Sequence, residues 1–166
     1  MIPQRARICI AGVSEDRAEY GISLWDKTLL KFVTPNIIVI PKERLITTVA
    51  TVQDIDLMTI HSDYHEYTET VDLFVERDGM LAGIVGWFEL EMTPGVWLRT
   101  APGEELTHWQ HCFFPIRHGF QVLSLTHLKV FIMYRTPKED YRGMRVDLSI
   151  SLAGTDQETS QSYQLR

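Results

Sequence analysis

Residues 104–112 read Glu-Glu-Leu-Thr-His-Trp-Gln-His-Cys, directly after a Pro102-Gly103 turn. A histidine titrates near neutral pH, so His108 can exchange a proton or orient a carboxylate. Leu106 and Trp109 beside it can anchor the segment. The plainer alternative makes Trp109 a core residue and His108 a strand cap, and residue chemistry alone favours that alternative. Two histidine spacings, His108-x-x-His111-Cys112 and His61-x-x-x-His65, raise the question of a metal. Residues three apart on a strand face opposite ways, and the second pair needs a helix that its Asp and Tyr neighbours do not support. No metal site is expected. The carboxylate pairs Glu15-Asp16, Glu104-Glu105 and Glu139-Asp140 sit beside turn residues. Solvated turn charges explain them; an acidic rim for basic peptides is the alternative.

Other constellations are weaker. Ala82-Gly83-Ile84-Val85-Gly86 has two glycines but strand-like flanks on both sides, whereas a phosphate cradle opens a helix. Glycines there permit coiling of a strand or close backbone approach. No nucleophile elbow supports a Ser-His-Asp set.

The elements that must hold these residues are strands. Met144, Val146, Leu148, Ile150 and Leu152 alternate with Arg145, Asp147, Ser149 and Ser151, which is the pattern of a half-buried strand. Val71, Leu73 and Val75 repeat it, and residues 7–11, 87–92, 128–134 and 162–165 also read as strands. Turn signals punctuate them at Arg77-Asp78-Gly79, Thr93-Pro94-Gly95, Ala101-Pro102-Gly103, Arg117-His118-Gly119 and Thr136-Pro137-Lys138. The polar tail Thr155–Gln161 is expected to turn before the last strand. Strands at such spacing predict an all-β, antiparallel sandwich or distorted barrel. One segment differs: Ile22, Trp25, Leu29 and Phe32 fall at helical spacing within residues 18–34, before Pro35. Residues 36–40 look extended, with a strand beginning near Leu45.

With 166 residues the chain suits a single domain, and 45% apolar against 23% charged residues matches an ordinary globular protein. A net charge of −6 argues against nucleic acid or an anionic membrane as partner. No apolar run is long enough to span a bilayer as a helix. Two lone cysteines, Cys9 and Cys112, fit a reducing compartment, and an intracellular protein is expected.

Taken together, three stretches resemble the carboxy-terminal β-barrel of the protein arginine N-methyltransferases. They are Gly86-Trp87-Phe88-Glu89-Leu90, Val96-Trp97-Leu98-Arg99-Thr100-Ala101-Pro102, and the Thr107-His108-Trp109 loop. The resemblance extends to Pro3-Gln4-Arg5-Ala6 and Ser162-Tyr163-Gln164-Leu165-Arg166, so it covers nearly the whole of residues 1–166 as one barrel. It implies a jelly-roll-like barrel whose preceding Rossmann-like domain binds S-adenosylmethionine and carries the glutamates that hold a substrate guanidinium. The barrel then closes the other side of the cleft. His108 would support an acidic group of that domain, Trp109 would wall the arginine channel, and Thr107 belongs to the same loop. The implied partners are the Rossmann-like domain and Arg-containing protein substrates, in the cytoplasm or nucleus. No cofactor would bind to the barrel itself.

The family also inserts a helical dimerisation arm after a position like Trp25. Here residues 18–42 leave room only for a reduced arm, whose Trp25, Leu29, Leu30, Phe32 and Ile38 would form the partner interface. A homodimer is implied for the full enzyme. The full enzyme would be of the asymmetric-dimethylating type, with this barrel not catalytic alone. The competing readings are a catalytically silent partner of an active methyltransferase and an unrelated carbohydrate- or peptide-binding sandwich.

Overall fold

Alternation along the first strand already places two cores. In β1 (Arg5–Ser14), Ile8 and Ile10 point to one face, while Cys9, Ala11 and Val13 point to the other and are all buried. A strand buried on both faces must lie inside a sheet that is covered on both sides. The computed structural model describes residues 2–14, 35–60, 66–136 and 143–165 and shows how this is done.

The larger sheet runs β2 (Asn36–Ile38), β7 (His111–Val122), β5 (Gly79–Thr93), β1 and β3 (Ala50–Asp56), with β6 (Val96–Arg99) pairing the last part of β5. The smaller sheet runs β10 (Glu158–Leu165), β9 (Met144–Leu152), β8 (His127–Arg135) and β4 (Glu66–Phe74). All pairings are antiparallel. The main core fills the space between the sheets with Leu73, Leu81, Ile84, Leu128, Val130, Ile150 and Tyr163 among its members. A second core lies on the outer face of the larger sheet, where Cys9, Ala11, Val13, Val85, Trp87 and Phe113 pack with Ile40 and half-buried Ile38 and Leu45.

Side chains close the two sheets towards a barrel where ladders do not. Pro115 of β7 has no N–H to give, and its carbonyl accepts bonds from Gln161 Nε2 at 3.0 Å and Tyr163 Oη at 2.9 Å. The Arg117 N–H completes the seam by donating to Gln161 Oε1 at 3.1 Å. On the other side Thr48 N–H donates to the Phe74 carbonyl at 2.8 Å, and Phe74 N–H donates to Thr48 Oγ1 at 3.0 Å.

The all-β, antiparallel barrel-like fold is therefore as expected, but three local expectations are corrected. Arg117-His118-Gly119 is not a reversal: it lies inside β7, where five steps along β7 (Pro115 to Phe120) oppose two along β5 (Gly83 to Leu81). Gly119 allows this bulge, because a Cβ there would meet the Leu81 carbonyl oxygen at 2.5 Å. The segment at Leu45 is not a strand: after a single 3-10 turn, Lys42–Arg44, it makes isolated bridges from Leu45 to Val13 and from Thr47 to Val75, and β3 begins only at Ala50. The last strand begins at Glu158, earlier than the polar tail suggested, because one face of the smaller sheet stays outside the core and tolerates serines; Ser149 and Ser160 pair their hydroxyls there at 2.6 Å. The helix expected over residues 18–34 lies outside the described residues.

Candidate functional site

The two ends of the barrel differ. At one end β4 runs into β5, β7 into β8 and β9 into β10 through short connections. At the other end lie Arg5, Thr93, His111, Arg135, Met144 and Leu165, the strand termini that surround the Thr-His-Trp loop. Among the described residues this second end is open: Ile8, Phe88, Tyr134, Met144 and Leu165 are only half-buried there.

The loop is positioned by a chain of contacts that starts with a buried threonine. Thr100 Oγ1 donates to the Phe88 carbonyl at 2.7 Å and accepts the Phe88 N–H at 3.4 Å, continuing the edge of β5 where β6 has ended. Phe88 then offers its ring to Trp109, edge to face, with centroids 5.6 Å apart. Trp109 remains 52% exposed, and His108 stands against it at 6.2 Å, also exposed. The loop is closed by Gln110, whose φ of 54° is in the left-handed region and whose N–H donates to the Thr107 carbonyl at 3.4 Å. Both rings therefore face outward at the open rim, and the plainer core reading of Trp109 is set aside.

His111 has a different role from His108. It is 5% exposed, and its Nδ1 accepts the Ile40 N–H at 2.8 Å, fastening the strap between β2 and the 3-10 turn to the root of the loop. Burial lowers its pKa from the ordinary value, while the Ala101, Thr100 and Ile38 backbone groups partly oppose this. This pin was visible in the sequence only as one half of a rejected metal spacing. Among the described residues no group of three His, Cys, Asp or Glu could hold a metal ion; His61 and His65 lie outside them. Burial pushes the Cys112 thiol up to about 12 and raises Cys9 as well, so neither is a thiolate at neutral pH.

Acidic groups gather near the rim at positions that the sequence reading did not single out. Gln4, Arg5, Asp54, Asp56, Met58 and Glu91 line a polar recess. Burial alone would raise the Asp54 pKa, but hydrogen bonds from Arg5 and Arg7 override it and hold the carboxyl below its ordinary value. Arg7 also lies over the Trp97 ring, 4.4 Å from its centroid. Of the expected acidic pairs, Glu104 and Glu105 border a second recess beside Thr107, and the other two lie outside the described residues.

Inside the rim, between the sheets, is an apolar cavity of about 450 Å³. Its wall includes Ile8, Phe88, Phe114, Tyr134, Met144 and Trp109. Of the residues expected at a partner interface, Trp25, Leu29, Leu30 and Phe32 lie outside the described residues. Ile38 is half-buried against the outer core, and its neighbour Ile37 is exposed instead.

The glycines of β5 do not form a cofactor cradle. A Cβ at Gly83 would lie 2.3 Å from the Phe114 carbonyl oxygen and 2.7 Å from the Phe113 ring, so the missing side chain admits neighbouring protein, not a nucleotide.

An antiparallel, barrel-like pair of sheets that displays a His-Trp loop is the architecture that the resemblance to the arginine methyltransferase barrel implied. Residues 4–157 match the family described as the arginine methyltransferase oligomerization subdomain, and the chain belongs to that family. It is 31% identical over 121 residues to protein arginine N-methyltransferase 2 of Xenopus tropicalis, covering 69% of this chain and 26% of that protein. It is 20% identical over 127 residues to protein arginine N-methyltransferase 1 of Chlamydomonas reinhardtii, covering 69% and 37%. The chain thus spans about a quarter to over a third of these curated relatives. The fold is shared with the Trypanosoma brucei arginine methyltransferase 1 enzyme–prozyme heterotetrameric complex with AdoHcy (TM-score 0.88, 18% identity, 99% of this chain and 57% of that one). It is shared equally with Arabidopsis thaliana protein arginine methyltransferase 10 (TM-score 0.84, 18% identity, 99% and 60%).

Proposed function

We propose that this barrel is the substrate-side and oligomerisation domain of an S-adenosylmethionine-dependent protein arginine N-methyltransferase of the asymmetric-dimethylating type, inactive without its cofactor domain. The observation that carries this reading is the outward display of His108 and Trp109 at the open rim, where a neighbouring domain can complete a cleft. A guanidinium is planar and permanently charged, so it suits an aromatic face and carboxylates together. Arg7 over Trp97 shows the same pairing within the chain. Trp109 walls the arginine channel. His108 orients an acidic group supplied by the partner domain, with Thr107 holding the turn that presents it.

The test joins the barrel to a cofactor domain of the family and measures methyl transfer to an Arg/Gly-rich peptide. His108→Ala should lower kcat by about 100-fold, at the low end of what acid–base groups supply. Its melting temperature should stay unchanged. Unaltered turnover would remove His108 from the chemistry.

A second reading is favoured by one observation: a fold neighbour is described as an enzyme–prozyme complex. In that reading the chain belongs to a silent subunit that supports an active one. It predicts no methylation by the joined protein, but higher activity when it is added to an active relative.

A further inference from the structure

The chamber between the sheets has chemistry of its own. Its wall draws on both sheets, with Ile8, Ile10, Val52, Ile84 and Phe88 from one and Ile132, Tyr134, Met144, Val146 and Leu165 from the other. An occupant would sit between the layers, with Trp109 and Ile37 at its exposed side. At about 450 Å³ the space lies within the usual 300–1,000 Å³ of small-molecule sites. A partner helix, about 10–12 Å across with its side chains, is a poor match for it.

Among the described residues the wall contains no charged side chain. A charged molecule would lose its hydration there without gaining a counter-ion, at a cost that excludes it. Water is a poor filler too, since it needs several polar partners and apolar cavities stay dry or take up apolar molecules. The wall is also braced against collapse. Pairing along β8 and β9 fixes one side, the Tyr67 and Tyr134 rings stack at 5.1 Å, and Tyr163 is tied to Pro115 beneath Phe114.

We propose that this chamber binds one small, neutral, apolar molecule of the alkyl or aryl class, entering past Trp109 at the open rim. Occupancy depends on the two sheets alone and would hold in a silent subunit as in an enzyme. A neutral alcohol or ketone with a short hydrocarbon body fits; a fatty acid anion or an alkylammonium does not.

The test uses the 166-residue chain and N-phenyl-1-naphthylamine, an uncharged dye that brightens in apolar surroundings. Saturable, one-to-one enhancement is expected, with 1-decanol displacing the dye at least tenfold more tightly than decanoate. With methyl-labelled methionine, the Met144 resonance should shift on binding while Met58 and Met80, exposed elsewhere, stay put. Met144→Trp should weaken the dye at least tenfold without changing the melting temperature; the methyl measurement stands should that variant fail to fold. Enhancement that never saturates, equal displacement by the alcohol and the anion, or shifts confined to Met58 and Met80 would each overturn the proposal. So would loss of binding once a cofactor domain is joined, because the neighbouring domain would then be the occupant.

Discussion

The closed and open ends of the barrel share most of their strands yet treat apolar side chains in opposite ways. At the closed end Leu73, Leu81, Val122 and Leu128 are fully buried, and consecutive strands are joined within a few residues. At the open end comparable residues, among them Ile8, Phe88, Tyr134, Met144 and Leu165, are only half-buried around unfilled space. The difference separates two duties. Tight interdigitation gains the most contact per side chain and carries the stability. Incomplete packing leaves surfaces, rings and a chamber that a neighbouring domain or a ligand can use.

The largest effect that follows is at the closed end. Leu128→Ala removes a fully buried side chain facing Leu73 across the β4–β8 pair and should cost about 2–5 kcal/mol. Urea denaturation of the variant would read this as a lower midpoint with an unchanged slope. A matched change at the open end, Met144→Ala, should cost well under half as much, because the chamber already lacks contacts there. Equal losses would abolish the distinction between the ends.

An intermediate effect belongs to the joint between the loop and the outer core. His111→Leu leaves the buried Ile40 N–H without an acceptor and should cost about 1–3 kcal/mol at neutral pH. The penalty should also depend on pH. Because burial depresses the native pKa below 6.5, the unfolded chain takes up a proton before the native one does as the solution is acidified. The neutral imidazole's contribution is complete above the unfolded value and is lost as pH falls through it towards the lower native value. Melting curves at pH 7.5 and 5.5 should therefore converge for wild type and variant. A gap that stays constant would show that His111 acts only by filling space.

Much of this architecture could be read from alternation. Residues 144–152 form a strand over the range their pattern marks, and the inward set Val146, Leu148, Ile150 and Leu152 is the buried one. The Thr-His-Trp loop was legible through its resemblance and not through its chemistry, since a histidine beside a tryptophan has an ordinary structural reading. Three features were hidden for physical reasons. The bulge at Arg117–Gly119 has the composition of a turn, and only the Leu81 carbonyl opposite explains why Gly119 continues a strand. The seam at Pro115 joins residues 46 and 48 positions apart, which no local pattern records. The acidic recess gathers Asp54 and Asp56 of β3 with Glu91 of β5, so its full charge density exists only once register is set.

The smallest effect gives the sharpest test of the comparison, because it concerns a large aromatic ring. Elsewhere, removing a tryptophan side chain costs about 3–5 kcal/mol when it is buried in a core. Trp109 keeps half its surface in solvent, and its described ring contacts are the edge-to-face pairing with Phe88 and the neighbouring His108. Such an aromatic pair contributes about 0.5–1.5 kcal/mol beyond simple burial. Trp109→Ala should therefore lower stability by about 1–2 kcal/mol, below that core cost. In the joined enzyme it should raise KM for an arginine peptide more than it lowers kcat, since a channel wall binds substrate and transition state alike. A loss of 3 kcal/mol or more would mean that the indole braces the barrel, and the open end would then differ from the closed end in shape but not in duty.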